Sequence, residues 1–361
     1  MCSDPGCAHE PNLPEWFVDD LGPLGVPYTK PEDFAVPPPE SDGILFTEDH
    51  EKKGYNVKEI KDGFYWVSSG WYDCMFVRTG NGVVAVDAPP AIGENLLSAI
   101  EETTDEPVTH MVYSHWHADH VGAASIFGPE VKRIGHNKTR ELLERFPDPD
   151  RPPPMETFEK DAVLDVNGVK IELAYKGQNH CEGNIFIYAP KPKILAAIDI
   201  ASPGWVTFRD CDSSDSLCGY VDAFDQILEY EFDTIISGHV SKTGGRADVV
   251  EGREYMHDLQ NLAREALETV DVAYFRKQLS AERRASFRWV EEEYFSACTN
   301  YVTKRMLEKK DALGRTWAER LSGADVMTKH NAYWALEKTR LEKSHNRYVR
   351  RGNVHPPKYF V

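Results

Sequence analysis

Three histidines and one aspartate lie within six residues, in the segment His-Trp-His-Ala-Asp-His at 115–120. Bunched imidazoles repel one another when they are protonated, whereas the neutral imidazole nitrogen is the commonest metal donor in proteins. In extended backbone, His115 and His117 point to the same side because side chains alternate with a period of two. Asp119 and His120 come in the following turn, where they can reach a second ion. The segment therefore predicts a metal site.

Short strands and helices are predicted on both sides of this segment. A buried strand, THMVYS at 109–114, precedes it directly, and a turn at Gly80-Asn81-Gly82 separates the apolar runs MFVRT and VVAVD. Strands followed by strands that alternate with helices predict sheets covered by helices. The predicted strands further along are 162–166, 169–175, 184–189, 193–198 and 233–238, and the predicted helices are 93–102, 121–127, 137–146 and 215–230.

The pattern changes after Gly244-Gly245, where apolar residues step by three and four. Such spacing predicts amphipathic helices, one from Tyr255 to Val270, one from Phe287 to Tyr301 and one over 327–345. The first 40 residues hold nine of the 23 prolines and predict an irregular arm. We therefore divide the chain into an arm (1–58), a catalytic domain (59–245) and a helical extension (246–361), which is a cap on that domain or a homodimer surface.

The charge of the chain is acidic and unevenly placed. Its 361 residues carry a formal net charge of −18, which disfavours nucleic acid as a partner. Residues 1–245 hold 19 basic and 42 acidic side chains, whereas 246–361 hold 22 basic and 17 acidic ones. Either the basic tail docks on the acidic body, in its own chain or a partner's, or the two surfaces are solvated separately. No run of 18 apolar residues occurs, so no membrane association is expected.

Seven scattered cysteines, an odd number, predict reduced thiols and a cytoplasmic protein. The N-terminus also lacks the basic start and apolar stretch of a secretory signal. Cys2, Cys7 and His9 do not match a standard zinc-binding spacing, so we interpret them as incidental. Cys181 is interpreted as a structural thiol, not a nucleophile.

The segment 115–120 resembles the HxHxDH signature of the metallo-β-lactamase fold superfamily. Other residues of that pattern follow in the same order: His180 in GQNHCEGN, Asp199 after KILAAI, and His239 after DTIISG. Upstream, Asp87 in VVAVDAP is similar to the aspartate that supports the site from behind the ligands. The resemblance covers roughly 60–245 and implies an α+β fold, a four-layer αβ/βα sandwich, to which the arm and the helical extension are added.

The resemblance also implies a ligand set and roles for single residues. His115, His117 and His180 would hold one metal, Asp119, His120 and His239 a second, and Asp199 would bridge them. Two zinc ions per chain are expected, with iron or manganese left open. A shared hydroxide would attack a substrate carbonyl, and Asp119 would orient it and then pass a proton to the leaving group. Asn184 would help to stabilise the oxyanion.

Five aromatic residues are candidates for a substrate wall or for plain packing. Relatives carry a flap over the site where Trp71 and Tyr72 lie on a predicted hairpin loop. The other three follow Asp199 in a long connecting segment and are Trp205, Phe208 and Tyr220.

The sequence leaves several functions open. A carboxylate at position 199 resembles lactonases, glyoxalase II-type thioesterases and phosphodiesterases, whereas true β-lactamases usually have cysteine or serine there. We expect a dinuclear zinc hydrolase acting on a small lactone, ester, thioester or amide. The alternatives are a mononuclear Fe(II) oxygenase of the persulfide dioxygenase type, held by His115, His180 and Asp199, a weak promiscuous β-lactamase, and a non-catalytic scaffold stabilised by metal.

Overall fold

The computed structural model describes residues 48–240, 242–278 and 287–342. Two β-sheets lie face to face within it, and one core cluster joins side chains of both, such as Trp66 and Met75 from the first sheet with Leu173 and Ile187 from the second. Helices cover the outer face of each sheet. The predicted four-layer sandwich with a C-terminal helical region is therefore confirmed.

The first sheet has seven strands in chain order, antiparallel in its first half and parallel from the fourth strand on. Its strands are β1 (Asn56–Lys61), β2 (Phe64–Ser68), β3 (Asp73–Arg78), β4 (Val83–Val86), β5 (Val108–Val112), β6 (Lys132–His136) and β7 (Glu156–Phe158). The second sheet has five, paired in the order β12-β11-β10-β9-β8. They are β8 (Asp161–Val166), β9 (Val169–Ala174), β10 (Phe186–Ala189), β11 (Ile194–Ala196) and β12 (Thr234–Ile236).

Strand β3 shows why the strands of the first sheet carry apolar side chains on both faces. Met75 and Val77 point into the space between the sheets, while Cys74 and Phe76 pack under the outer helices. A sheet covered on both faces needs apolar residues at successive positions. The predicted turn after β3 is confirmed, because Thr79 N–H donates to Gly82 O and Arg78 pairs with Val83 of β4.

Ten α-helices and two 3₁₀ turns are found in the described ranges. The helices before residue 240 are α1 (Glu48–Lys53), α2 (Asn95–Glu101), α3 (Ala118–Val121), α4 (Asn137–Arg145), α5 (Arg209–Ser213) and α6 (Leu217–Leu228). Those after it are α7 (Arg246–Thr269), α8 (Val272–Gln278), α9 (Phe287–Glu308) and α10 (Ala324–Glu342), and the 3₁₀ turns are Ala124–Phe127 and Trp317–Glu319.

One predicted helix is wrong in its bounds. Residues 121–127 were expected to form one helix, but α3 ends at Val121 and the next turn is a 3₁₀ helix. The break lies at Gly122 and Ala123, where Ala123 leaves the helical region with φ −112° and ψ 18°. The helices predicted at 93–102, 137–146 and 215–230 are present as α2, α4 and α6.

The C-terminal helices pack on the second sheet. Met256 and Leu259 of α7 share one core cluster with Phe186, Leu195 and Phe224, so the extension covers the sandwich instead of standing apart. The predicted boundaries at 58 and 245 stay predictions. Most of the arm, including Cys2, Cys7 and His9, and the last three residues of the helix predicted over 327–345 lie outside the described residues. In the part described, no helix combines the length and apolar character that a bilayer crossing requires.

Candidate metal centre

The end of β5 brings the six-residue segment to the edge of the first sheet. Ser114 N–H donates to Asp87 Oδ1 at 2.8 Å, so Asp87 holds the backbone just before the first histidine. The ring of His115 is fully buried, and its Nδ1 lies 2.9 Å from Ser114 Oγ. This contact leaves His115 Nε2 as the atom that faces the other histidines.

His115, His117 and His180 form the first group of candidate ligands. His117 Nδ1 and His180 Nε2 are 2.9 Å apart, and the ring centroids of His115 and His117 are 4.6 Å apart. Ligand atoms of all three lie within 4.8 Å of one another and of the Cys181 sulfur. No sequence pattern predicts that this thiol lies so close, because side chains of adjacent residues tend to point apart.

Asp119, His120 and His239 form the second group. His120 Nε2 and His239 Nε2 are 3.2 Å apart. Asp119 Oδ2 lies 3.5 Å from His120 Nε2 and 3.9 Å from His239 Nε2. Asp119 and His120 lie on α3, while His239 follows β12, so the group joins the two sheets.

Asp199 lies between the two groups with one carboxylate oxygen toward each. Its Oδ1 is 3.0 Å from His120 Nε2 and 3.1 Å from His239 Nε2. Its Oδ2 is 3.4 Å from His115 Nε2 and 3.3 Å from His180 Nε2. The structure thus brings together all seven residues expected as ligands, in the grouping that the resemblance implies.

The donor atoms fit metal cations. His115 Nε2 and Asp199 Oδ1 are buried and have no hydrogen-bond partner among the described residues. Buried polar atoms that are left without a partner are costly, whereas atoms directed at a common cation are satisfied by it. Imidazole nitrogens with carboxylate oxygens are a ligand set that zinc accepts, and iron and manganese take similar sets.

Burial and the bridging carboxylate shift the pKa values in opposite directions in the two groups. Burial lowers the pKa of His180 to about 4 and that of His115 well below its ordinary value, so the first group is neutral. Burial also acts to lower the pKa of His239, but the charge of Asp199 outweighs it and raises that pKa to about 9. The pKa of Asp199 is held well below its ordinary value by the surrounding imidazoles, despite burial that acts to raise it.

Two more carboxylates, the buried Asp73 and the half-buried Asp212, belong to this region and were not identified from the sequence. Asp73 is fully buried on β3, accepts from Trp66 Nε1 at 2.7 Å, and burial raises its pKa to about 7. Asp212 accepts from Thr207 Oγ1 at 2.8 Å, and burial with the charge of Asp199 raises its pKa to about 6. The sole sequence signal for Asp73 is a charge inside an apolar strand, and Asp212 has none.

Two of the expected site residues form hydrogen bonds inside the protein. Asn184 is fully buried, and its amide nitrogen donates to Asn179 Oδ1 at 3.0 Å and to Ile198 O at 3.1 Å. Both amide hydrogens are therefore used inside the protein, and the oxyanion role expected for Asn184 stays a prediction. Tyr220 is also fully buried, and its hydroxyl lies 2.7 Å from Asp212 Oδ2. It packs in the core and does not line a substrate wall.

The other aromatic candidates lie in different places. The Tyr72 ring centroid is 4.7 Å from that of His239, beside the second group. Trp71 is 70% exposed and Phe208 60% exposed, so both side chains are open to solvent. Trp205 is half-buried, pairs with Ser322 through a β-bridge and faces Gly323. A role in substrate binding stays a prediction for these four residues.

Comparison with known proteins agrees with the fold. Residues 72–239 match the family described as the metallo-beta-lactamase superfamily. The chain is 27% identical over 153 residues to the 2,4-dinitroanisole O-demethylase subunit alpha of Nocardioides sp. (strain JS1661), covering 41% of this chain and 47% of that protein. It is 26% identical over 125 residues to the metallo-beta-lactamase type 2 of Bacillus cereus, covering 34% and 48%. The chain thus spans about half the length of these curated relatives.

A solved structure shares the architecture. The metallo-beta-lactamase from Pontibacter korlensis superposes with a TM-score of 0.50 at 19% identity, over 56% of this chain and 99% of that chain. At this identity the likeness concerns the fold alone.

Proposed function

Since residues 72–239 of this chain belong to the metallo-beta-lactamase superfamily, we propose that the protein is a dinuclear zinc hydrolase that cleaves a small carbonyl substrate, namely a lactone, ester, thioester or amide. The observation that carries this proposal is the position of Asp199, which directs one oxygen at each ligand group. A site for a single cation would leave one of those oxygens, and the whole second group, without a function.

The buried charge supports two cations. Asp73, Asp87 and Asp199 are buried around the two groups, and Asp212 beside them is half-buried. Within the described ranges, no lysine or arginine forms an ion pair with any of them. Buried carboxylates need compensation by protonation, pairing or metal. Two divalent cations are a natural source of that compensation.

Asp119 is the residue that we assign to proton transfer. Its side chain is 43% exposed, whereas that of Asp199 is 3% exposed, so Asp119 is open to a substrate and its attacking water. Two zinc ions, when bound, would bring the pKa of a shared water to about 7 and polarise the substrate carbonyl. Asp119 Oδ2 would accept a proton from the attacking water and deliver it to the departing oxygen, sulfur or nitrogen.

Metal content is the first test of this proposal. Protein purified without added metal should contain about two zinc ions per chain by elemental analysis. About one iron per chain, with oxygen uptake on a thiol-derived substrate, would instead support the Fe(II) oxygenase, which would use His115, His180 and Asp199. Metal that stabilises the fold without any detectable reaction would support a scaffold.

A substrate panel and one variant pair test the reaction. The panel should hold lactones, esters, thioesters and amides, a β-lactam, and 2,4-dinitroanisole because of the named demethylase relative. Asp119→Asn should lower kcat about 10²- to 10⁴-fold, as removal of a general base does. Asp222→Asn, an exposed change on α6, is the matched control and should leave kcat unchanged. Full activity of Asp119→Asn would contradict the proposed proton transfer.

A further inference from the structure

The C-terminal helix α10 forms hydrogen bonds with the segment that leads from Asp199 to α6. We call residues 207–218 the clamped loop; they include α5 and the first two residues of α6. The Asn331 amide accepts from Cys211 N–H at 3.0 Å through Oδ1 and donates to Thr207 O at 2.9 Å through Nδ2. Further along the helix, Lys338 Nζ donates to Asp215 O at 2.6 Å. Glu342 accepts from the backbone N–H groups of Leu217 and Cys218, at 3.0 and 2.9 Å.

The clamped loop needs stabilising contacts from outside it because its backbone conformation is unfavourable. Asp210, Cys211, Asp212 and Ser213, which make up most of α5, follow one another with φ of 57°, 50°, 54° and 53°, so α5 is a left-handed turn and not an ordinary helix. Side chains of L-residues clash with the following carbonyl in this left-handed region, and such residues normally occur there singly. A run of four persists only where surrounding contacts determine it. Asn331 supplies two of those contacts and is fully buried.

The clamped loop in turn contacts the backbone of the candidate ligand His180 and, through Tyr220, that of the residue after Asp199. Asp215 N–H donates to His180 O at 2.7 Å. Asp212 Oδ2 lies 2.7 Å from the Tyr220 hydroxyl, which lies 2.9 Å from Ile200 O, directly after Asp199. Contacts thus run from α10 through the loop to His180 and, through Tyr220, to Ile200, the neighbour of Asp199.

We infer that Asn331, more than 90 residues outside the superfamily region, is a positioning residue of the metal centre. By holding Thr207 and Cys211 it keeps Asp212 and Tyr220 against the segment that follows the bridging Asp199. Without it, the left-handed turn relaxes, Asp212 leaves its place, and His180 and the bridging Asp199 lose their fixed arrangement. The helical extension is then part of the site and not an appended cover. The inference rests on the proposed binding of two cations.

Zinc titration of the full chain tests this inference. Zinc affinity should be measured by competition with a chromophoric chelator in the wild type, Asn331→Ala and Asn331→Asp, and the visible spectrum of the cobalt-loaded proteins should be recorded. We expect Asn331→Ala to weaken zinc binding about 10- to 100-fold, as loss of supporting contacts does at other metal sites, and to change the cobalt spectrum. Asn331→Asp keeps the acceptor for Cys211 N–H, so its loss should be smaller.

Thr328→Ala is the matched control. It removes a buried contact of 2.9 Å between Thr328 Oγ1 and the Tyr255 hydroxyl of α7, which also accepts a longer contact of 3.5 Å from Asn331 Nδ2, but it leaves both contacts of Asn331 with the clamped loop in place. It should lower the melting temperature of the metal-free protein but leave zinc affinity unchanged. Equal zinc affinities of wild type and Asn331→Ala would overturn the inference, and so would a loss of zinc affinity in Thr328→Ala as large as that in Asn331→Ala. If Asn331→Ala does not fold, a wild-type zinc affinity of Asn331→Asp would overturn the inference. Failure of the two-cation proposal would show instead in the wild type itself.

Discussion

Gly219 offers a test of how the fold positions His180. A Cβ atom added at Gly219 of α6 would lie 1.8 Å from Gln178 O, and real Cβ atoms essentially never approach a neighbour closer than 3.0 Å. Gln178 comes two residues before His180, and Asn179 Oδ1 accepts from His180 N–H at 2.6 Å. Gly219→Ala must therefore push the loop that carries His180, or α6 itself, by more than 1 Å.

The magnitude follows from the tolerance of metal coordination. Ligand distances in metal sites hold to within about 0.2 Å, so a shift of about 1 Å is far outside that range. Disturbed supporting contacts cost about 10- to 100-fold in metal affinity at other sites. Since tenfold is about 1.4 kcal/mol, we expect Gly219→Ala to weaken zinc binding by about 1.4–2.8 kcal/mol.

The assay is zinc competition against a chelator, with thermal unfolding of the same samples. Gly245→Ala is the control, because the nearest atom to its added Cβ is Asp233 O at 3.8 Å. The control should bind zinc like the wild type. Folded Gly219→Ala protein with unchanged zinc affinity would refute the claim that this close approach fixes His180.

Three further outcomes are expected. Asp73→Asn should stabilise the metal-free protein more at pH 8 than at pH 5, by about 2–3 kcal/mol in urea unfolding. Burial raises the pKa of Asp73 from 3.8 to about 7, so the cost of burying this carboxyl grows as the pH rises between those values and is complete above about 7. An equal effect at both pH values would contradict this. Removal of metal by a chelator should lower the melting temperature, and zinc at 100 times its Kd should restore about 2.7 kcal/mol; no change would show that metal is not linked to folding. Trp71→Ala should raise KM without lowering the melting temperature, since the side chain is 70% exposed; unchanged KM for every substrate would remove Trp71 from the substrate wall.

Residues 115–120 show how far sequence patterns reach. Four candidate ligands lie within six residues, so their relative placement depends on local backbone geometry: the period of an extended segment and the first turn of α3. The apolar runs of β2 to β5 likewise predict strands, because alternation of side chains is a property of the strand itself. The order of His180, Asp199 and His239 completes the ligand pattern without knowledge of any contact.

Asn184, Tyr220 and Asp212 show where sequence patterns stop. Whether the amide of Asn184 is already hydrogen-bonded, and whether the ring of Tyr220 lines a substrate site or packs in the core, depends on atoms contributed from elsewhere in the chain. Asn331 lies 120 residues from Cys211, its hydrogen-bond partner, and no local periodicity reports that pairing.

The sequence by itself therefore determined the ligand types, their order along the chain and the layered architecture, because these follow from residue chemistry and from backbone periodicity. The tertiary structure alone decided which polar groups are already paired, which carboxylates are buried, and that α10 reaches the metal centre. Burial and pairing are sums over neighbours that are distant in sequence, and those neighbours come together only when the chain folds.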